Sequence, residues 1–267
     1  MSVINTITSA LRAQNGSRVA NQALQAAMER LSSGKRINSA KDDAAGLAIA
    51  NSMTSQIRGM SQAIRNANDG ISFAQTADGA LNEVTNMLQR IRELAVQSAS
   101  GTYSDDDRTN LQSEVTELGA QIDAIISDTT FNGVTVFGSS DVTVDIQTGY
   151  GSADQTTLTV TGLDVSGASG ADISSGDTGV LDDVDDALAA VATTRASLGA
   201  GQSRLDSVVN NLSNQVANLS DARARIEDAD FSAETTNLAK AQILSQASTA
   251  MLAQANQSQQ DVLSLLR

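Results

Sequence analysis

The sequence predicts a mainly α-helical protein, a long antiparallel helical bundle or coiled-coil rod built from both chain ends, with a small central β-hairpin region. Apolar residues recur at alternating spacings of three and four over several long stretches. None of the 267 residues is proline, so nothing in the chain forces a long helix to break. One central stretch instead alternates apolar and polar residues, which favours strands.

Four heptad segments predict the rod, and they begin at Ala50, Leu81, Leu111 and Leu181. Sustained heptads place one apolar seam against partner helices and favour left-handed packing. The last segment keeps its register as far as Ile226, which corresponds to a helix roughly 65–70 Å long. An ordinary multi-helix bundle is the alternative interpretation.

Turn and cap residues separate these segments. Asn68-Asp69-Gly70 predicts a weak interruption within the first segment, and Asp78-Gly79 predicts a boundary before the second. Ser100-Gly101-Thr102 ends the second segment. Ser104 and the aspartates at 105–107 predict a capped start for the third, since aspartate is favoured near the positive end of a helix.

The middle of the chain, about residues 131–180, predicts a β-hairpin followed by an acidic loop. Val142, Val144 and Ile146 alternate with polar residues, and a weaker alternation follows the turn residues Gly149-Tyr150-Gly151. Residues 162–179 are rich in Gly, Ser, Asp and Ala, which predicts an exposed loop.

The two chain ends, 1–33 and 232–267, carry apolar stripes on otherwise polar helices. Such helices bury too little apolar area to be stable alone, so each stripe needs a partner. We expect that partner to be the other terminal helix together with copies from neighbouring subunits. Frayed amphipathic tails are the alternative. The predicted assembly residues are Ile4, Ile7, Leu11, Leu24, Met28 and Leu31 at one end, and Leu244, Met251, Ala255, Val262, Leu265 and Leu266 at the other.

Composition argues against an enzyme, and we predict no catalytic, cofactor or metal-binding residues. The chain has no Cys and no His, which removes the usual zinc ligands, the thiol nucleophile and the Ser-His-Asp triad. Gly34-Lys35-Arg36 lacks the earlier glycine and the preceding strand of a phosphate loop. Asp42-Asp43 and the aspartates at 182–186 have no calcium-loop spacing, so helix capping explains them better.

Charge and hydropathy exclude two further classes of partner. The net charge is −14, and residues 138–194 contain ten Asp and no Lys or Arg, so a basic nucleic-acid-binding surface is not expected. No apolar run is long enough to insert into a membrane, and the N-terminus does not resemble a signal peptide.

Several motifs identify a resemblance. Residues 31–49 (LSSGKRINSAKDDAAGLAI) resemble the N-terminal signature of bacterial flagellin, and 68–81 continue the likeness. Phe131-Asn132-Gly133 resembles the family's segment before its hairpin. Near the other end, 225–231 (RIEDADF) and 262–267 (VLSLLR) are also similar to the family.

The resemblance implies a structural subunit that polymerises into the hollow extracellular flagellar filament used for swimming. It implies an inner terminal-helix domain, 1–40 plus 232–267, and a helical shell domain, 41–231. It also implies export by the type III flagellar apparatus without a cleaved signal peptide. The implied partners are other copies, the filament cap, the hook-junction proteins and an export chaperone on the C-terminal helix. A flagellin-like hook–filament junction protein, or a monomeric adhesin or immune ligand, is the alternative.

One further match concerns an immune receptor. Residues 89–96 (QRIRELAV) with Glu114 resemble the patch that a flagellin-sensing Toll-like receptor of animal hosts reads. By heptad position alone, Arg90, Glu93 and Leu94 face neighbouring subunits. The two interpretations are compatible, and the residues concerned are Gln89, Arg90, Glu93, Leu94 and Glu114.

Overall fold

The computed structural model describes residues 8–265, with side chains described for 8–258, and the predicted mainly α-helical class is confirmed. Long helices carry most of this part of the chain, and two small antiparallel sheets lie in its middle. In chain order the elements are α1 (Thr8–Ser33), α2 (Ala44–Ser98), α3 (Asp105–Asp128), β1 (Thr130–Phe131), β2 (Val134–Thr135), β3 (Val142–Gln147), β4 (Gln155–Val160), α4 (Ser166–Ser169), α5 (Gly179–Glu227) and α6 (Phe231–Leu265).

Contacts divide the chain into two compact units. Unit 1 comprises residues 1–55 and 218–267, and unit 2 comprises residues 56–217. The domain boundaries predicted after residues 40 and 231 lie closer to the chain ends. The difference arises because the first turns of α2 and the last turns of α5 interact within unit 1, where Arg223 Nη1 lies 3.3 Å from Thr54 Oγ1.

Helix α2 runs without a break through both glycines that predicted an interruption, so that prediction is wrong. Asn68-Asp69-Gly70 and Asp78-Gly79 are helical throughout. A glycine inside a helix costs about 1 kcal/mol relative to alanine. The neighbouring side chains Ala67, Phe73 and Ala74 are buried, and their packing outweighs that cost.

Helices α2 and α5 lie antiparallel in unit 2. Arg92 pairs with Asp185, and Arg195 pairs with Asp78. Residue numbers therefore increase along α2 in the direction in which they decrease along α5. Arg195 Nε donates to Asp78 Oδ1 at 2.8 Å, so the charge of Arg195 has a partner on α2. The buried seam residues of α5 in this unit are Val180, Val184, Ala187, Val191, Thr194, Leu198, Leu205 and Leu212.

The start of α3 is capped as predicted. Ser104 accepts a hydrogen bond from the Asp107 amide, and the Asp107 side chain accepts one from the Ser104 amide. The hydroxyl and amide of Ser104 together hold the pKa of Asp107 below its usual value. This reciprocal arrangement satisfies two amides that the first turn of a helix would otherwise leave unpaired.

The segment 162–179 is not the exposed loop that its composition predicted. Leu163, Val165 and Ile173 are buried, and α4 lies against α3. Gln112 of α3 holds the segment at two points, since its Nε2 donates to the Ala171 carbonyl at 3.0 Å and its Oε1 accepts from the Ile173 amide at 2.7 Å. Small residues let the backbone approach α3 closely, and this explains a composition that looks like a loop.

Two hairpins adjoin the helices of unit 2. The predicted hairpin is confirmed as β3 and β4, which pair from Val142 opposite Val160 to Gln147 opposite Gln155. Strands β1 and β2 were not predicted from the sequence. They join through Asn132 and Gly133, with φ of 50° and 80°, the backbone conformation that favours an Asn-Gly hairpin turn.

Gly119 should prove sensitive to substitution, because a Cβ there would collide with the Ser169 backbone of α4. We expect Gly119→Ala to lower the free energy of unfolding by about 1–3 kcal/mol. Gly79→Ala in α2 is the matched control, since a Cβ at that position would meet no other atom within 4 Å. It should raise that free energy by about 0.4–1 kcal/mol. Urea unfolding measures both, and equal effects of the two variants would contradict the packing argument.

Candidate assembly surface

Helices α1 and α6 of unit 1 pack closely through small residues. Ala13, Ala20 and Ala27 are buried in α1 at intervals of seven, and Ala241 is buried in α6. The two helices approach within 8 Å between Cα atoms. Alanine has no side chain beyond Cβ, so a heptad of alanines lets two backbones come nearer than leucines would. This set of small residues is called the alanine seam below.

Polar contacts show that the two helices run antiparallel. Ser245 Oγ donates to Asn21 Oδ1 at 3.0 Å. Gly16 lies opposite Ser248, whose Oγ would be 3.2 Å from a Cβ at position 16. Towards the other end of the pair, Arg30 approaches Glu234. Residue numbers therefore increase along α1 in the direction in which they decrease along α6.

Most of the large apolar residues predicted for assembly do not lie in the alanine seam. Leu11 is 58% exposed, Met28 48%, Leu244 48% and Met251 64%. Leu24, Leu31 and Ala255 are half-buried. The contact between the two ends therefore depends chiefly on residues that the sequence analysis did not single out. A role in contacts between copies remains a prediction for the exposed residues.

Five of the predicted assembly residues cannot be placed in this way. Ile4, Ile7 and Leu266 lie outside the described residues. Val262 and Leu265 lie within helix α6, but their side chains fall beyond the described set. Their assignment to the assembly surface stays a prediction from the sequence.

The sequence analysis also missed exposed apolar residues near those that it named. Val19 on α1, and Phe231 and Ile243 on α6, each expose more than half of their surface. Phe231 begins α6, and Val19 and Ile243 lie outside the predicted stripes. The signal for the alanine seam was present in the sequence as alanines seven residues apart, but small residues carry little weight in a hydrophobicity pattern.

A clasp of backbone and side-chain contacts joins the connections at the ends of α1 and α5. Gly34 ends α1 with φ of 71°, and its carbonyl accepts from the Ala229 amide at 3.0 Å. Lys35 Nζ donates to Glu227 Oε1 at 2.5 Å. Arg36 donates from its amide to the Glu227 carbonyl and from its side chain to the Ile226 carbonyl. Gly34-Lys35-Arg36 therefore has a structural role, since it holds the end of α1 to the end of α5 within unit 1.

The aspartates between α1 and α2 serve as caps. Asp42 Oδ2 accepts from the Asn38 and Ser39 amides at 3.1 and 3.0 Å. Those backbone bonds, that of Ser39 foremost, hold the pKa of Asp42 below its usual value. Asp43 Oδ1 accepts from the Gly46 amide in the first turn of α2 at 2.8 Å. Each carboxylate accepts hydrogen bonds from backbone amides of its own turn, as helix capping predicts.

The residues of the receptor-like patch lie in unit 2 on α2 and α3. Arg90 links the two helices, since its Nε lies 2.8 Å from Glu114 Oε1 and its Nη1 lies 3.0 Å from Glu93 Oε2. Hydrogen bonds to Glu114 first, and then to Glu93, raise the pKa of Arg90. Gln89 is exposed. Leu94 is only 1% exposed, so its predicted position facing neighbouring subunits is wrong.

Within the described residues, no three or more acidic side chains are grouped as metal ligands. In the same part of the chain, no helix combines the length and apolar character that crossing a membrane requires.

Two family models match most of the chain. The bacterial flagellin N-terminal helical region matches residues 4–143, and the bacterial flagellin C-terminal helical region matches residues 181–266. The chain belongs to the bacterial flagellin family. The two matched regions include both helices of the alanine seam, all the predicted assembly residues and the receptor-like patch. The unmatched stretch between them contains β4, α4 and most of β3.

Curated flagellins align with the chain from end to end. A flagellin of Xenorhabdus nematophila is 46% identical over 316 residues, which cover 100% of this chain and 99% of the relative. The flagellar filament 33 kDa core protein of Treponema phagedenis is 44% identical over 287 residues, covering 99% and 100%. The solved structure of Bacillus cereus flagellin is 28% identical, covers 60% of this chain and 94% of its own, and has a TM-score of 0.48. This flagellin is a structural subunit of the flagellar filament.

Ala20→Leu should loosen the seam of this flagellin, because a larger side chain cannot fit between two backbones that alanine holds close. We expect a loss of about 1–3 kcal/mol in the α1–α6 pairing. Hydrogen–deuterium exchange of the α1 and α6 amides should become correspondingly faster. Gln22→Leu, at an exposed position of the same helix, is the control and should leave exchange unchanged. Identical exchange in both variants would refute the close-packed seam.

Proposed function

We propose that copies of this flagellin build the filament by packing their α1–α6 pairs against one another through the large apolar side chains that the alanine seam leaves exposed. Scattered exposed apolar residues are normal on a protein surface, but a concentration of them marks an interaction site. Of the described side chains on these two helices, those concerned are Leu11, Val19, Met28, Phe231, Ile243, Leu244 and Met251.

The energetics favour this use of the exposed residues. Full burial of a Val, Leu, Ile, Phe or Met side chain contributes about 1.5–3 kcal/mol. Each of these residues still exposes about half or more of its surface, so contact with a second copy would contribute about 1 kcal/mol or more per residue. Repeated on every subunit, such contacts make polymer stability depend on protomer concentration.

The distribution of charge supports close packing in the same unit. Unit 1 contains ten basic and nine acidic residues, whereas unit 2 contains seven basic and 22 acidic residues. Copies repel one another where each carries a large charge of the same sign. The nearly neutral unit 1 suits a crowded polymer interior, and the acidic unit 2 suits a solvated surface.

An open polymer follows when one surface of a subunit contacts a different surface of the next without closing a ring. We infer a hollow extracellular filament whose subunits leave the cell through the flagellar export apparatus. The exposed apolar face of α6, including Ile243 and Leu244, needs cover before assembly. That need supports an export chaperone at residues 232–267, with cap and hook-junction proteins as further partners. No catalytic role is proposed.

The apolar contacts can be tested by polymerisation of the purified protein. Wild-type monomer should form micrometre-long filaments in the electron microscope. Leu244→Ser and Met251→Ser should each raise the critical concentration about five- to tenfold, because each removes about 1 kcal/mol of contact between copies. Gln242→Ser, on the same helix, loses no apolar area and should polymerise as the wild type does. Unchanged polymerisation of both apolar variants would overturn the proposal.

A second proposal concerns recognition of the monomer by a flagellin-sensing Toll-like receptor of animal hosts. Arg90 carries it, because its exposed guanidinium joins carboxylates of two helices into one polar surface. Gln89, Glu93 and Glu114 complete that surface, whereas buried Leu94 supports it from within.

Arg90→Ala should reduce monomer activity in a receptor reporter assay at least about tenfold, as expected for a central interface arginine. Its melting temperature should barely change, because exposed ion pairs contribute little to stability. Arg65→Ala is the matched control, since Arg65 is also exposed on α2, lies outside residues 89–96 and donates to Gln62 instead. A wild-type monomer without activity, or equal losses in both variants, would end the receptor proposal.

A further inference from the structure

A polar cavity of about 280 Å³ lies between α1 and α6 at one end of the alanine seam. Its apolar walls are three alanines and one leucine, and its polar groups are two cations, one amide and one carboxylate. The lining residues are Ala23, Ala26 and Arg30 of α1, and Glu234, Asn237, Lys240, Ala241 and Leu244 of α6.

The carboxylate in this cavity is largely buried, and its side-chain partners lie at long distances. Glu234 is 8% exposed as a residue, and its side chain is 10% exposed. Among the described residues, Arg30 Nη1 lies 3.9 Å from its Oε1, and Asn237 Nδ2 donates to its Oε2 at 3.4 Å. Both distances exceed those of a good charge-assisted hydrogen bond, about 2.7–2.9 Å. A closer donor would therefore strengthen the hydrogen bonding of this carboxylate.

We propose that this cavity is a socket in which a donor side chain of a second copy completes the hydrogen bonding of Glu234. The inference rests on the proposed function, because that function supplies the second copy. It adds one specific polar contact to an otherwise apolar interface. The incoming group is an uncharged amide, since the carboxylate accepts a hydrogen bond and Arg30 and Lys240 already supply positive charge beside it.

The terminal helices of a second copy offer the required chemistry. Within residues 8–33 and 231–267, the only carboxylate side chains besides Glu234 are Glu29 and Asp261. The same segments are rich in Gln and Asn, whose amide groups donate hydrogen bonds. A neighbouring terminal helix therefore brings many amide donors and few competing carboxylates towards the socket.

The socket continues into the exposed apolar surface. Leu244 lines it, and Met251 follows seven residues later on the same flank of α6. On α1, Val19 lies four and seven residues before the lining residues Ala23 and Ala26, a spacing that places all three on one flank. A helix of a second copy that covers this flank would therefore meet apolar side chains and the socket together.

Such a contact would fix the register between copies. Ala13, Ala20 and Ala27 repeat every seven residues, so a shift of one heptad, about 10 Å, presents nearly the same surface again. Glu234 breaks that repetition, because a shifted copy would leave its carboxylate without the new donor. A single buried polar group sets the register of coiled coils in the same way.

The test compares Glu234→Leu with Glu29→Leu, an equal change of charge at an exposed position of α1. In the monomer, Glu234→Leu should leave amide exchange of α1 and α6 unchanged or slower, because the contacts that its carboxylate makes within one chain are long and contribute little. In polymerisation it should raise the critical concentration about tenfold, the cost of one lost buried hydrogen bond to a charged group. Glu234→Gln, which keeps one acceptor oxygen, should give a smaller increase.

We expect Glu234→Leu to leave the pairing of α1 with α6 in the monomer unchanged or stronger and to weaken polymerisation. Faster amide exchange in the Glu234→Leu monomer would assign Glu234 to the fold of one chain and overturn the socket. An equal rise in critical concentration for Glu29→Leu would also overturn it, since net charge alone would then explain the effect. If the wild type polymerises and Glu234→Leu does so equally well, the socket fails and the proposed function stands. If the wild type does not polymerise, the proposed function itself fails.

Discussion

The alanine seam between α1 and α6 is the contact on which unit 1, and with it the proposed assembly, depends. It joins segments from opposite ends of the chain, and it does so with side chains that hold two backbones close. Leucines at the positions of Ala13, Ala20 and Ala27 would bury more area but would force the helices apart. The small seam thus turns the larger apolar residues outward, which reverses the usual arrangement of an amphipathic pair.

Because of this reversal, the large apolar residues of α1 and α6 contribute little to the stability of one chain and are available for contacts in the proposed polymer. Unit 2 has an ordinary core, in which Leu81, Leu88, Ile91 and Leu198 are fully buried. Unit 1 buries mainly alanine between its terminal helices, and alanine contributes far less on burial than leucine does. A pair of helices held in this way is only modestly stable by itself, so further stabilisation is available when a neighbour covers the exposed residues.

Periodicity predicted the parts of the fold in which large side chains decide the packing. Heptads of Leu, Ile and Val predicted α5 and most of α2, and strict alternation predicted the hairpin of β3 and β4. The seam was missed because a search for large apolar residues overlooks alanine. The segment 162–179 was misjudged because its order depends on Gln112, a partner about 60 residues away that no local pattern reveals.

The same distinction explains why the socket could not be predicted from the sequence. In the sequence, Glu234 is simply an acidic residue in the first turn of a helix, where the positive helix terminus favours it. Only the pairing of α1 with α6 places it over alanines and beside Arg30 at a distance too long for a good hydrogen bond. Apolar contacts along the flank can give a polymer strength, but they repeat with the heptad and tolerate sliding. In the proposed polymer, a carboxylate that gains a donor in one register alone penalises the others, so strength and register would come from different residues of the same surface.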